Sequence, residues 1–167
     1  MRDRFEEHVP GGVVAGVLGS VAAVMVGLTL AQLTLGPLGS DPAPTWFYAA
    51  LAGLFLLVTR WFARLHVRLD ADGVYAAYGP FRRRVAWRDV ERVEEDRPEA
   101  FYGGWGVRFW RREGRPTLVF NVIGGRHVAV VARQGAGSGL VFATREPDRA
   151  LAVAQVWLER ARGSNAR

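Results

Sequence analysis

Arginine side chains are the residues of this 167-residue chain with the clearest chemical potential. A guanidinium keeps its charge and can bind the oxygens of a carboxylate or phosphate through two hydrogen bonds. Three arginines are consecutive and three more follow an apolar segment: Arg82, Arg83, Arg84, Arg60, Arg64 and Arg68. Together they predict a basic face that binds an anionic partner. The alternative is general positive charge with no specific ligand.

Histidine and cysteine offer less. The three histidines, His8, His66 and His127, are far apart and none has a ligand partner at helical spacing, so the sequence predicts no metal site. The absence of cysteine excludes disulfides, thiolate metal ligands and cysteine nucleophiles. We therefore expect no cofactor.

Carboxylates are concentrated in one stretch, which is made up of Glu91, Glu94, Glu95, Asp96 and Glu99. Paired acids can act in acid–base catalysis or bind Ca²⁺. Here the spacing of a calcium loop is missing, which favours a solvated acidic edge paired with nearby arginines. Two glycine-rich stretches, 102–106 and 134–139, lack the lysine and following helix of a phosphate loop and are predicted turns. These patterns predict a chain that is not an enzyme, and because its aromatic residues fit a core, no nucleic-acid partner is expected.

Two apolar segments near the N-terminus predict transmembrane helices at about 13–35 and 45–62. No charged residue occurs between His8 and Asp41, and about 20 apolar residues are enough to cross the hydrocarbon of a bilayer. The second segment is shorter, but it begins with Trp46 and its neighbouring aromatics and ends at Arg60, which suits the two interfaces. The alternatives are buried helices of a soluble fold, or a signal peptide, whose apolar core is normally shorter.

Arginine placement predicts the orientation of this hairpin. The segment 37–44 between the helices contains no arginine, whereas Arg2 and Arg4 precede the first helix and Arg64 follows the second. Because arginine and lysine stay on the cytoplasmic side, we expect a multi-pass protein of the plasma membrane with both termini in the cytoplasm. Anionic lipid then becomes a candidate partner for the arginines.

Small residues recur four apart on both predicted helices, at Ala15, Gly19, Ala23 and Gly27, and at Ala49 and Gly53. Such rows allow close backbone approach between helices in lipid. They predict packing of the two helices against each other. The alternative is self-association, in which a small-residue face of the first helix packs against a second copy of the chain.

The remainder of the chain predicts a mainly β domain. Residues 65–69 alternate in polarity, 70–73 form a turn, and comparable short strands continue to about residue 143. Thr144 to Asp148 has the composition of a helix start with Pro147 in the first turn, and apolar residues at helical spacing predict a helix at about 147–162. The expected domains are a transmembrane hairpin at 1–64 and a cytoplasmic β domain at 65–167.

Three phrases and a helix entry carry a resemblance to a known family: residues 70–74 (DADGV), 85–90 (VAWRDV), 102–108 (YGGWGVR) and 144–147 (TREP). In this order they resemble the bacterial pleckstrin-homology-like (PH-like) domains of small actinobacterial membrane proteins. The resemblance implies a barrel of about seven antiparallel strands capped by a C-terminal helix, next to paired membrane helices, with no catalytic activity. The expected function is a membrane-anchored interaction or scaffolding module, or alternatively a module that binds anionic lipid headgroups directly.

Overall fold

The computed structural model describes residues 4–38, 43–96 and 104–164. These residues divide into two compact units. One unit is the helical segment Gly11–Ala63, and the other consists of the sheets and the C-terminal helix, to which the chain contributes both before residue 11 and after residue 63.

The helical unit is a hairpin of α1 (Gly12–Leu35) and α2 (Thr45–Phe62). Only Ala22 and Gln32 of α1 and Ala52 of α2 are buried. The remaining apolar surface is open, with Val13 78% and Leu35 79% exposed. Both helices are long and apolar enough to cross a membrane. Because protein does not cover their side chains, the hairpin differs from the core of a water-soluble fold.

The small residues of the two helices divide between two environments. Ala15 and Gly19 are half-buried, and a Cβ added at Gly19 would lie 3.8 Å from Cγ2 of Thr59 on α2. By contrast, Ala23, Gly27, Ala49 and Gly53 are exposed. The helix α1 therefore packs against α2 along Ala15, Gly19 and Ala22, and the other small residues lie on the surface of the hairpin.

Sheet A contains four antiparallel strands in the order β1-β2-β3-β4. Its strands are β1 (Phe5–Pro10), β2 (Arg64–Asp70), β3 (Gly73–Tyr78) and β4 (Phe81–Val85). In β2, Leu65, Val67 and Leu69 are fully buried and alternate with polar residues, as expected for a sheet with one covered face. Gly73, at φ 137°, makes the β2–β3 turn possible, since a Cβ there would lie 2.2 Å from the Val85 carbonyl oxygen.

Sheet B contains five strands in the order β5-β8-β9-β7-β6, preceded by a 3₁₀ turn at Trp87–Asp89. Its strands are β5 (Val90–Asp96), β6 (Gly106–Arg112), β7 (Arg115–Asn121), β8 (Arg126–Ala132) and β9 (Gly139–Thr144). The pairing of β7 with β9 is parallel, and the other pairs are antiparallel. Val119, Ala129 and Val141 form a buried cluster across its three central strands.

The C-terminal helix α3 (Pro147–Ser164) begins at the predicted residue and packs mainly against β5, β8 and the 3₁₀ turn at Trp87–Asp89. The hydroxyl of Thr144 accepts a hydrogen bond from the backbone N–H of Glu146 (3.1 Å), which satisfies a donor at the helix entry. The expected helix at 147–162 is therefore confirmed.

Two expectations about the sheets need correction. About seven antiparallel strands were expected in a barrel, whereas the described residues form nine strands in two sheets, one pair is parallel, and the barrel is not closed. One of the additional strands is β1, which the expected boundaries (1–64 and 65–167) assign to the hairpin. Phe5 and Val9 are buried in the sheet unit, so the hairpin is an insertion between β1 and β2.

Glu7 anchors β1 to the segment that joins β9 to α3. Its carboxylate accepts hydrogen bonds from the Thr144 hydroxyl and from the backbone N–H of Arg145 (3.1 Å). This polar contact joins the first strand to the start of α3 and accounts for an acidic side chain between Phe5 and Val9.

Candidate functional site

The outer face of sheet A collects most of the predicted basic residues. Cross-strand register places Arg68 opposite Tyr75, and Tyr75 opposite Arg84. Because side chains two apart on a strand share a face, Arg64 joins Arg68, and Arg82 joins Arg84, on this side of the sheet. We refer to Arg64, Arg68, Arg82 and Arg84 as the basic face.

The four arginines of the basic face have different electrostatic environments. Arg68 forms an ion pair with Asp70, and Arg84 lies 3.4 Å from a carboxylate oxygen of Asp72 and 5.7 Å from the centre of the Tyr75 ring. Arg64 and Arg82 are exposed, and neither forms an ion pair with any described residue. The charge available to an outside ligand is therefore concentrated at these two positions.

The other two predicted basic residues are not on this face. Arg83 points to the inner side of sheet A, where its guanidinium donates to the Ser138 carbonyl (3.0 Å). It therefore has a structural contact between the β4 strand and the loop before β9. Arg60 lies in the last turn of α2, in the helical unit, where its side chain is exposed.

A second group on the outer face of sheet A was not predicted. His8 of β1 and His66 of β2 are direct cross-strand partners, with their rings stacked at 4.5 Å. Nε2 of His66 lies 3.1 Å from a carboxylate oxygen of Glu6, and this hydrogen bond is the main cause of a lowered pKa for Glu6. Together Glu6, His8 and His66 could hold a metal ion.

This group was not predicted because the strand β1 was not expected. The six residues of β1 contain only two buried apolar side chains, Phe5 and Val9, directly before a much longer apolar helix. Phe5, Glu7 and Val9 fall on one face at the period of a strand, but Glu7 is polar, so the segment does not alternate between apolar and polar residues and gives no clear strand signal. The whole hairpin lies between His8 and His66 in the sequence, and the pairing of β1 with β2 brings the two residues together.

The acidic stretch on β5 forms ion pairs with arginines of sheet B, as expected. Glu94 pairs with Arg112 (2.8 Å), and Glu95 pairs with Arg126 (2.7 Å). Arg92 donates to Glu113 at 2.6 Å, which lowers the pKa of Glu113. These carboxylates are thus engaged by guanidinium groups of β5, β6 and β8.

The third histidine has a structural environment. His127 is buried on β8, and its Nε2 donates to the amide oxygen of Asn121 (2.6 Å). The amide nitrogen of Asn121 in turn donates to the Gly104 carbonyl. Burial lowers the pKa of His127 and favours its neutral form.

An exposed aromatic surface lies at the β6 edge of sheet B. Phe109 is 87% exposed, and with Trp110, Arg111 and Pro116 it lines an open groove of about 470 Å³. Contiguous apolar surface of this kind makes the groove a candidate interaction surface.

Several residues used in the sequence analysis lie outside the described part of the chain. They are Arg2, Asp41, Glu99 and Tyr102, and with them the N-terminal residues 1–3, the C-terminal residues 165–167 and parts of the 37–44 and 97–104 segments.

Comparison of this chain with family models, with curated proteins and with solved structures found no match.

Proposed function

We propose that this chain is a non-catalytic, membrane-anchored binding module of the PH-like type. The hairpin of α1 and α2 is its anchor, and the sheet unit is its cytoplasmic binding domain. Support for the anchor comes from two helices of sufficient length whose apolar side chains are open on the protein surface. Support for a PH-like domain comes from a four-stranded antiparallel sheet, a second sheet and a C-terminal helix in that chain order.

Anionic headgroups of the inner leaflet are the ligand that best fits the basic face. The observation that carries this proposal is the register of sheet A, which gathers four arginines on one side. Chain connectivity adds to it: only Gly11 separates β1 from α1, and only Ala63 separates α2 from β2. Arg64, directly after that second connection, is therefore close along the chain to a membrane helix.

The expected contribution of the basic face to the free energy of lipid binding comes from Arg64 and Arg82, which form no ion pair with a described residue. An arginine near an anionic surface contributes about 1 kcal/mol. Removal of Arg64 and Arg82 should therefore cost about 2 kcal/mol, which corresponds to roughly 30-fold weaker binding. Arg68 and Arg84 already interact with Asp70 and Asp72 and should contribute less.

The test compares lipid binding by the full chain in detergent micelles. Native mass spectrometry would measure retained phosphatidylglycerol against phosphatidylcholine for the wild type and for Arg64→Gln/Arg82→Gln. The matched control is Arg111→Gln/Arg145→Gln, which removes the same charge from exposed arginines elsewhere. We expect loss of phosphatidylglycerol only in the first variant, and weaker binding at high salt. Equal binding by both variants would reject headgroup recognition by the basic face.

The orientation of the anchor has its own test, because the chain contains no cysteine. A single cysteine at Leu38, after α1, should react with an impermeant maleimide added to intact cells. A single cysteine at Arg145 should react only after the cells are opened. Labelling of Arg145→Cys in intact cells would contradict a cytoplasmic sheet unit.

A protein partner is the second candidate, favoured by the exposed edge at β6. This strand is the last in the order of sheet B, and its residues Phe109 and Trp110 are 87% and 44% exposed. An extended segment of a partner could pair with the β6 backbone while its side chains cover these aromatics. A photoreactive residue at Phe109 should then cross-link a protein in native membranes, whereas one at Phe81 on sheet A should not.

Self-association through the exposed small residues of the two helices stays a prediction.

A further inference from the structure

Glu6, His8 and His66 form a cluster with the composition of a metal site. Glu6 and His8 are two apart on β1 and therefore share a face of sheet A, and His66 is the direct partner of His8 on β2. Each side chain offers one ligand atom, and these atoms all lie within 4.8 Å of one another. All three side chains are at least partly open to solvent, so an ion has access to them.

The distances suit coordination after small side-chain rotations. Ligand atoms at about 2.1 Å from a tetrahedral zinc ion lie roughly 3.4 Å from each other. His66 Nε2 and Glu6 Oε1 are already 3.1 Å apart. The His8 ring, stacked on the His66 ring, needs only to turn its nitrogen toward the same point, since both rings project from paired backbone positions.

The Glu6 carboxylate is held in a suitable orientation for metal binding. Arg4 donates to Oε2 of Glu6 (2.6 Å), which leaves Oε1 directed at His66. Such an outer partner commonly orients a metal-binding carboxylate. The charges of Arg4 and Arg68 lie near Glu6 and oppose a cation, so affinity must come from direct bonds to the imidazoles rather than from a general negative field.

We propose that Glu6, His8 and His66 bind a divalent transition-metal ion of the zinc class. Two imidazoles and one carboxylate suit zinc and its first-row neighbours rather than Mg²⁺ or Ca²⁺, which prefer oxygen ligands. Three protein ligands leave a coordination position for water or an anionic group. The site goes beyond the proposed lipid binding and shares no residue with the basic face.

Metal binding has a structural consequence, because the ligands come from both sides of the hairpin insertion. An ion at this site joins β1 to β2 by coordinate bonds in addition to their backbone pairing. A ligand that binds only the folded chain raises its stability by mass action. Zn²⁺ should therefore raise the melting temperature of the sheet unit, and Mg²⁺ at the same concentration should not.

The experiment uses the full chain in detergent without a histidine tag. Calorimetric titration with Zn²⁺ should give one ion per chain, and Co²⁺ should give the visible absorption of a tetrahedral site. The variants His8→Ala, His66→Ala and Glu6→Gln should each weaken Zn²⁺ binding by at least about 10- to 100-fold, the loss that removal of an outer partner alone produces. Asp72→Asn, which changes an exposed carboxylate in the turn between β2 and β3, is the matched control and should bind Zn²⁺ like the wild type.

Two results would overturn the metal site. One is the absence of saturable binding up to about 1 mM Zn²⁺, where the standard free energy of binding is only about −4 kcal/mol. The other is unchanged binding by His8→Ala/His66→Ala, which keeps His127 as the sole histidine. Thermal melts without metal verify that each variant is folded. Because His8→Ala/His66→Ala keeps the four arginines of the basic face and the charge of Glu6, phosphatidylglycerol binding by this variant distinguishes failure of this site from failure of the lipid proposal.

Discussion

Replacement of Phe5 by alanine tests whether the N-terminal segment belongs to the sheet unit. The Phe5 side chain is completely buried, and the guanidinium of Arg149 from α3 lies 5.6 Å from the centre of its ring. Truncation of a buried phenylalanine costs about 3–5 kcal/mol through lost transfer energy and the cavity that remains. Because β1 is an edge strand and Arg149 can move into the space, we expect about 3 kcal/mol, near the lower limit.

This loss is large enough to measure in detergent. For a domain of roughly 100 residues, 1 kcal/mol shifts the melting temperature by about 4 °C or more, so Phe5→Ala should lower it by roughly 12 °C. The signal is near-ultraviolet circular dichroism or tryptophan fluorescence, since Trp87 is buried in this unit. The control is Phe109→Ala, the same truncation at a residue that is 87% exposed.

Equal melting temperatures for Phe5→Ala and Phe109→Ala would refute the assignment. The N-terminal residues would then contribute no more to stability than an exposed side chain. The pairing of His8 with His66 depends on the same strand, so the metal site would lose its structural basis as well.

Two other substitutions probe polar contacts of the sheet unit. Glu7→Gln weakens the hydrogen bonds that Glu7 accepts from the Thr144 hydroxyl and the Arg145 N–H, and it should lower the free energy of unfolding, measured by urea titration, by about 1–3 kcal/mol. The control Glu159→Gln changes an exposed carboxylate and should have little effect. Equal effects of the two substitutions would contradict the Glu7 anchor. Burial lowers the pKa of His127, so the unfolded chain takes up the proton first as the pH falls. Its contribution to stability is complete above about pH 6.5 and decreases below that value, and His127→Gln should flatten the stability profile between about pH 7 and 5. A profile that keeps its slope in this variant would assign the dependence to other groups.

Local patterns in the sequence were enough for the elements that depend on local physics. Two long apolar segments gave α1 and α2, and Thr144 with Pro147 gave the start of α3. Alternating polarity gave most of the strands, including β2, because one covered face imposes a period of two. The bounds of these elements differ from the expected ones by only a few residues.

Tertiary structure decided which residues meet. Strand pairing across the inserted hairpin made a strand of Phe5–Pro10, joined His8 to His66, and gathered Arg64 and Arg82 on one face. It also brought the Arg83 guanidinium to the carbonyl of Ser138, 55 residues further along the chain. Register and long-range pairing depend on contacts between distant segments, and a local pattern of residue types does not encode them.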